Sequence, residues 1–230
     1  MIKINGLTKK NGNKTIFENV SGLLKNRNIY ALVGINGIGK STMLNAITQP
    51  ASMDGGTVEI DGINSKLFRA RQNFFYVPDS KEMFLNLTGY EYLRFVTRLY
   101  HRKIEEMGEK LQEISTAFKL DHSLNEYIGN YSLGMKQKVY LIAAFLTGTG
   151  NLILDEPFNG LDPESIIVLK KLLTDYRDKG NLILFSSHNL DLVANFCDSI
   201  VFIDKEQKIF LCKNPKDYEQ LEAVFFEKCV

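Results

Sequence analysis

Several features that would assign a chain to a special class are scarce or missing from these 230 residues. Cysteine is limited to Cys197, Cys212 and Cys229, with no CxxC pair. That argues against a zinc site or a disulfide framework and leaves buried or inert reduced thiols. Neither sign of charge is in surplus: 28 Lys and Arg face 27 Asp and Glu, a formal net charge of +1. No global field therefore favours nucleic acid as the main partner, although a local patch stays open. No apolar run approaches the ~18–20 residues that cross a bilayer. The opening MIKINGLTKKNGNK also lacks the apolar core of a signal peptide. A cytosolic chain is expected, one that meets a membrane only through other subunits' helices. Internal repeats, low-complexity segments and flexible linkers are absent as well, which points to one domain.

What is present supports a packed core, with 44% hydrophobic and 24% charged residues. Strand-like pieces at 2–7 and 20–24 precede the apolar run 29–33, whose glycine boundary fits a strand covered on both faces. A helix is predicted over 41–47, ending near Pro50, followed by a turn at 54–56 and a strand at 57–60. After the turn signal Asp61-Gly62 comes a strand at 74–77, stopped by Pro78. From 79 to 146 helical spacing takes over. Thr88 and Glu91 form a capping box before Tyr92, Leu93, Val96, Leu99 and Tyr100, which are spaced for one helical face. Further helices are predicted over 104–118 and 133–146. Strands then return at 152–154, 182–185 and 199–203, and a helix begun by Asp162 and Pro163 is closed by Gly180. Strand and helix in alternation predict a mainly parallel, covered sheet.

Two segments carry chemistry. Residues 34–42 read GINGIGKST, matching GxxxxGK[ST] between a predicted strand and a predicted helix. Gly34, Gly37 and Gly39, with Asn36 among them, let successive N–H groups curl inward around phosphate oxygens at a helix N-terminus. Lys40 is then expected on the β- and γ-phosphates, Ser41 on Mg²⁺ and Thr42 on the α-phosphate. The second segment, LILDEP at 152–157, is a strand ending in two acids. Asp155 suits Mg²⁺, through water, and Glu156 suits orienting and deprotonating an attacking water.

With YSLGMKQK at 131–138, NGLD at 159–162 and His188 after Ser186 and Ser187, the chain resembles the ATP-binding cassette (ABC) ATPases over nearly its full length. These pieces look like the family's signature, D-loop and switch histidine, in the family's order. The resemblance implies an α/β fold: a P-loop NTPase core with a mainly parallel sheet, an N-terminal antiparallel β subdomain and an inserted helical subdomain. It divides the single domain into a core at 1–78 and 147–230 and a helical part at 79–146. It also implies that two cassettes pair head to tail, so that ATP at Lys40 of one chain is capped by Ser132 and Gly134 of the other. His188 would contact the γ-phosphate and help to position Glu156. Separately encoded transmembrane permease subunits would be the further partners, placing the chain on the cytoplasmic face of a membrane, with no nucleic acid.

Three positions depart from the family pattern. Leu133 and Met135 replace a glycine and a glutamine of the signature, a variant similar to cassettes of antibiotic and lantibiotic exporters. Asp79, at the end of FYVPDS, stands where the Q-loop glutamine would reach Mg²⁺ or the attacking water. A second reading has it cap the turn after Pro78. Asn11 occupies the place of the aromatic that stacks on adenine, leaving Phe17 either as a substitute or as core. The helical tail YEQLEAVFFEKCV is also similar to exporter cassettes. Competing readings are a soluble ABC-type ATPase and a weakly hydrolysing, ATP-gated regulatory module.

Overall fold

The computed structural model describes residues 1–12, 14–80, 82 and 84–229. The chain begins with a hairpin, β1 (Ile2–Asn11) and β2 (Lys14–Leu24), crosses to β3 (Asn28–Val33) and turns into α1 (Lys40–Thr48). It returns through β4 (Gly55–Ile60) and β5 (Ile63–Asn64), then runs through β6 (Phe74–Val77) into three helices, α2 (Gly89–Leu99), α3 (Gly108–Ala117) and α4 (Leu133–Thr147). The remainder alternates: β7 (Asn151–Leu154), α5 (Pro163–Asp178), β8 (Leu182–Ser186), α6 (Leu190–Phe196), β9 (Ser199–Ile203), β10 (Ile209–Lys213) and α7 (Tyr218–Cys229). In the expected C-terminal helix, Val230 lies outside the described residues, as do Lys81 and Met83 of the expected helical part and Asn13 of the opening segment.

Two sheets result. One is antiparallel, in the order β2-β1-β4-β5; the other has the order β10-β9-β3-β8-β7-β6 and is parallel except for β10. In the parallel sheet the period of two sorts each strand between two apolar layers. Ile29, Ala31 and Val33 of β3, with Ile183 and Phe185 of β8, pack against the helices, among them Val139, Ile142 and Leu169. Tyr30, Leu32, Leu182 and Leu184 face the other way, onto α1 and the antiparallel sheet.

Some expected boundaries move. The first hairpin continues well beyond 7 and begins well before 20. Its residues there are largely polar and half-exposed, and three register shifts break the alternation that would have marked them as strand. The single helix expected over 104–118 is a 3₁₀ turn at Ile104–Met107 followed by α3. Met107 caps α3 without a side-chain bond, and Gly108 is a weak helix former, so no local signal holds one continuous helix. The capping box forms as read: Thr88 Oγ1 accepts from the Glu91 N–H at 3.2 Å, and Glu91 Oε2 accepts from the Thr88 N–H at 2.9 Å. Tyr92, Leu93 and Val96 are buried behind it. Leu99 is a correction, since it lies on the exposed side of the last turn. All three cysteines are free, and burial holds the Cys197 thiol up at about 12 and the Cys229 thiol at about 11.

Candidate functional site

The carboxyl ends of β3, β6, β7 and β8 lie side by side, so the residues just beyond them share one edge of the parallel sheet. Those residues are the P-loop after Val33, Asp79 after Val77, Asp155 and Glu156 after Leu154, and His188 after Ser186. They border a cleft of about 450 Å³ lined by Asn36, Gly37, Gly39, Lys40, Ser41, Thr42, Asp79, Asp155, Glu156, Asn159 and His188.

The P-loop side is shaped by backbone. Gly39 is the N-cap of α1 with φ 119°, and no side chain caps the helix. A side chain there would be strained, and its Cβ would lie 2.9 Å from the ring of Phe17. The leading N–H groups of α1 are thus left to whatever occupies the cleft, the arrangement that suits an anion. Lys40 is buried, its Nζ donating to the carbonyls of Gly34 at 3.0 Å and Ile35 at 3.3 Å. Burial lowers its pKa, against an upward pull from the charges of Glu156 and Asp155.

The acid side is ordered by hydroxyls. Ser186 Oγ, fully buried at the end of β8, donates to Asp155 Oδ1 at 2.6 Å and accepts from the Glu156 N–H at 2.8 Å. Tyr76 also hydrogen-bonds Asp155; burial first, then the charges of Asp155 and Asp79, push its phenol well above the ordinary value. Glu156 has φ 47°, a left-handed conformation that costs a non-glycine residue energy and persists only where neighbours enforce it. Its Oε1 lies 3.1 Å from His188 Nδ1. With a carboxylate as acceptor, Nδ1 carries the proton.

The donors suit the ligands expected of them. Oxygen atoms of Ser41, Asp79 and Asp155 border the cleft, and oxygen is the donor Mg²⁺ takes, usually from one or two protein groups plus phosphate and water. Among the described residues no group of three or more His, Cys, Asp or Glu could hold a metal by itself.

Asn36, Gly37, Gly39, Lys40, Ser41, Thr42, Asp79, Asp155, Glu156 and His188 meet in this cleft, and Asn159 of the NGLD segment joins them. Ser132 and Gly134 do not. Ser132 is the exposed N-cap of α4, its Oγ accepting from the Met135 N–H at 3.2 Å. Gly134 is needed within this chain, because a Cβ there would sit 2.6 Å from the carbonyl oxygen of Gly160. Phe17 takes the core reading, fully buried beneath Gly39, and Asn11 is exposed at the end of β1. Sequence reasoning missed Ser186 and Tyr76. The available signal was a hydroxyl within each of two apolar strands, where burial demands a partner.

A model of the family described as ABC transporter matches residues 17–159. The chain is 32% identical over 225 residues to the lantibiotic transport ATP-binding protein SrtF of Streptococcus pyogenes, covering 98% of this chain and 96% of that one. It is 31% identical over 208 residues to the ABC-type transporter ATP-binding protein EcsA of Bacillus subtilis (strain 168), covering 88% and 83%. A solved structure described as an ATP-binding subunit of an ABC transporter superposes with a TM-score of 0.90 at 27% identity, covering 98% of this chain and 99% of its own. No helix among the described residues is long and apolar enough to cross a membrane.

Proposed function

The chain belongs to the ABC transporter family as an ATP-binding subunit, and from that premise we propose that it hydrolyses ATP to drive an exporter, working as a head-to-tail dimer on separately encoded transmembrane subunits. One observation carries the dimer: the cleft gathers Lys40, Ser41, Asp155, Glu156 and His188, whereas Ser132 and Gly134 lie outside it on an exposed helix start. A second copy supplies what the first lacks. Export is supported by the SLGMKQ signature variant and by likeness to SrtF. The chain then sits on the cytoplasmic face of the membrane through its partners, without nucleic acid. Residues 1–78 and 147–230 act as the nucleotide-binding core, and 79–146 carry the signature.

In this reading the P-loop amides and Lys40 hold the β- and γ-phosphates, and Thr42 holds the α-phosphate. Lys40, pre-desolvated against two carbonyls, exchanges them for phosphate oxygens without a large hydration cost. Ser41 and Asp155, with Asp79 nearby, would hold Mg²⁺, which would supply charge neutralisation on the phosphates. Glu156 orients the attacking water and accepts its proton, while His188 steadies that carboxylate through Nδ1 and reaches the γ-phosphate with its other edge. The neighbour's Ser132 hydroxyl and helix N-terminus complete the γ-phosphate shell. Loss of that phosphate removes the link between chains, and the dimer reopens.

The test is Glu156→Gln. Wild type should turn over MgATP, and the variant should lose turnover while accumulating an ATP-bound dimer by size-exclusion chromatography. A wild type that binds but does not hydrolyse would instead make this a gating module.

A further inference from the structure

Contacts at both ends and the middle fasten the first two turns of α4 to the segment that follows Glu156. Gln137 is buried, and its Nε2 donates to the carbonyl of Pro157 at 2.8 Å. Lys138 Nζ pairs with Asp162 at 2.8 Å, at the segment's far end. Between them the Gly160 carbonyl lies against Gly134, and Leu133 covers Gly160 so closely that a Cβ there would meet Leu133 Cγ at 3.2 Å. One helix start, capped by Ser132, therefore holds the whole turn 157–162.

That turn begins at a strained residue. Glu156 keeps φ 47° only while its flanks are fixed. On its amino side the Glu156 N–H is bound to Ser186 Oγ at 2.8 Å. On its carboxyl side the next carbonyl is bound by Gln137. A buried amide is costly unless its hydrogen bonds are made, so Gln137 and the Pro157 carbonyl are held to each other, and a shift of α4 displaces the Pro157–Phe158 peptide, one residue beyond Glu156.

We infer that Gln137 is a positioning residue for hydrolysis: through the Pro157 carbonyl it holds Glu156 in its left-handed conformation and couples the engagement of Ser132 by a neighbour's nucleotide to this chain's own carboxylate. The inference rests on the dimer proposed above. Each chain then reports the occupancy of one composite site to the catalytic group of the other, through its own α4.

Gln137→Met tests this, because it removes the donor at nearly constant volume. Three quantities are measured: fluorescent-ATP binding by the monomer, dimer trapping when combined with Glu156→Gln, and kcat, KM and Hill coefficient for MgATP hydrolysis. Expected are unchanged monomer binding, retained trapping, a KM within about twofold, a kcat lower by about tenfold and a Hill coefficient falling towards 1. Gln137→Asn, which keeps the amide but shortens its reach, should show the same pattern and substitutes if the methionine variant does not fold. Unchanged kcat and Hill coefficient, or a kcat loss matching only the loss of folded protein, would overturn the inference. Failure of Glu156→Gln alone to trap a dimer would instead overturn the dimer reading.

Discussion

The P-loop cleft and the start of α4 are both expected to touch the same phosphate, yet they are built on opposite principles. At the floor of the cleft the polar groups are interior, Asp155 2% exposed, Lys40 8% and Ser186 0%, each hydrogen-bonded within its own chain, while Ser41, Asp79 and His188 stand exposed around them. At the start of α4, Ser132 and Leu133 are exposed, Leu133 by 63%, and only the underside of the helix is fastened. Buried polar groups satisfied by one another are rigid and costly to disturb. A capped helix end facing solvent keeps its shape yet has N–H groups to spare. In the proposed dimer the first is a receptor whose floor is set before any ligand arrives, and the second is a surface that meets a ligand held by the other chain.

The largest effect that would break this contrast is expected from Ser132→Arg. Turnover should fall on the order of a hundredfold, the scale of losing a transition-state donor, while a fluorescence titration shows ATP binding by the monomer unchanged within about twofold. Equal losses in binding and turnover would mean that both regions act on one nucleotide within one chain. Ser186→Ala sharpens the other side. It leaves Asp155 Oδ1 and the Glu156 N–H each short of a buried partner, so about 1–3 kcal/mol of stability should be lost. Turnover should also fall, by about tenfold, measured by urea unfolding and phosphate release. The smallest effect belongs to Thr88→Ala, at the N-cap of α2 and outside the residues that line the cleft. It removes the capping box of α2 and should cost about 1 kcal/mol by thermal unfolding, with turnover per folded molecule unchanged.

Contiguous chemistry was easy to read. GINGIGKST, the acid pair and His188 are local patterns at strand ends, and a parallel sheet brings strand ends together whatever the side chains between them. Pairings across the chain were harder. Ser186 reaches Asp155 31 residues away and Gln137 reaches Pro157 20 residues away, and neither leaves a mark in local spacing. The extended hairpin hid because its polar, bulged strands lose the period of two. Leu99 sat at the right helical interval but beyond the reach of the core, where the last turn of α2 faces solvent.

The two-sided burial of the parallel strands has a consequence for how the sheet finds its alignment. Slipping β3 by one residue would exchange Ile29, Ala31 and Val33 for Tyr30 and Leu32. Both sets are apolar, so hydrophobicity alone discriminates poorly between the two alignments. Discrimination falls to the strand tips. The Asp155 N–H meets the Val77 carbonyl at 2.8 Å, the Ser187 N–H meets the Leu32 carbonyl at 3.1 Å, and Ser186 clasps Asp155. Asp155 and Ser186, at the proposed catalytic edge, are therefore also notches that index one strand against the next, and a chain altered there would lose part of its ruler along with the proposed reaction.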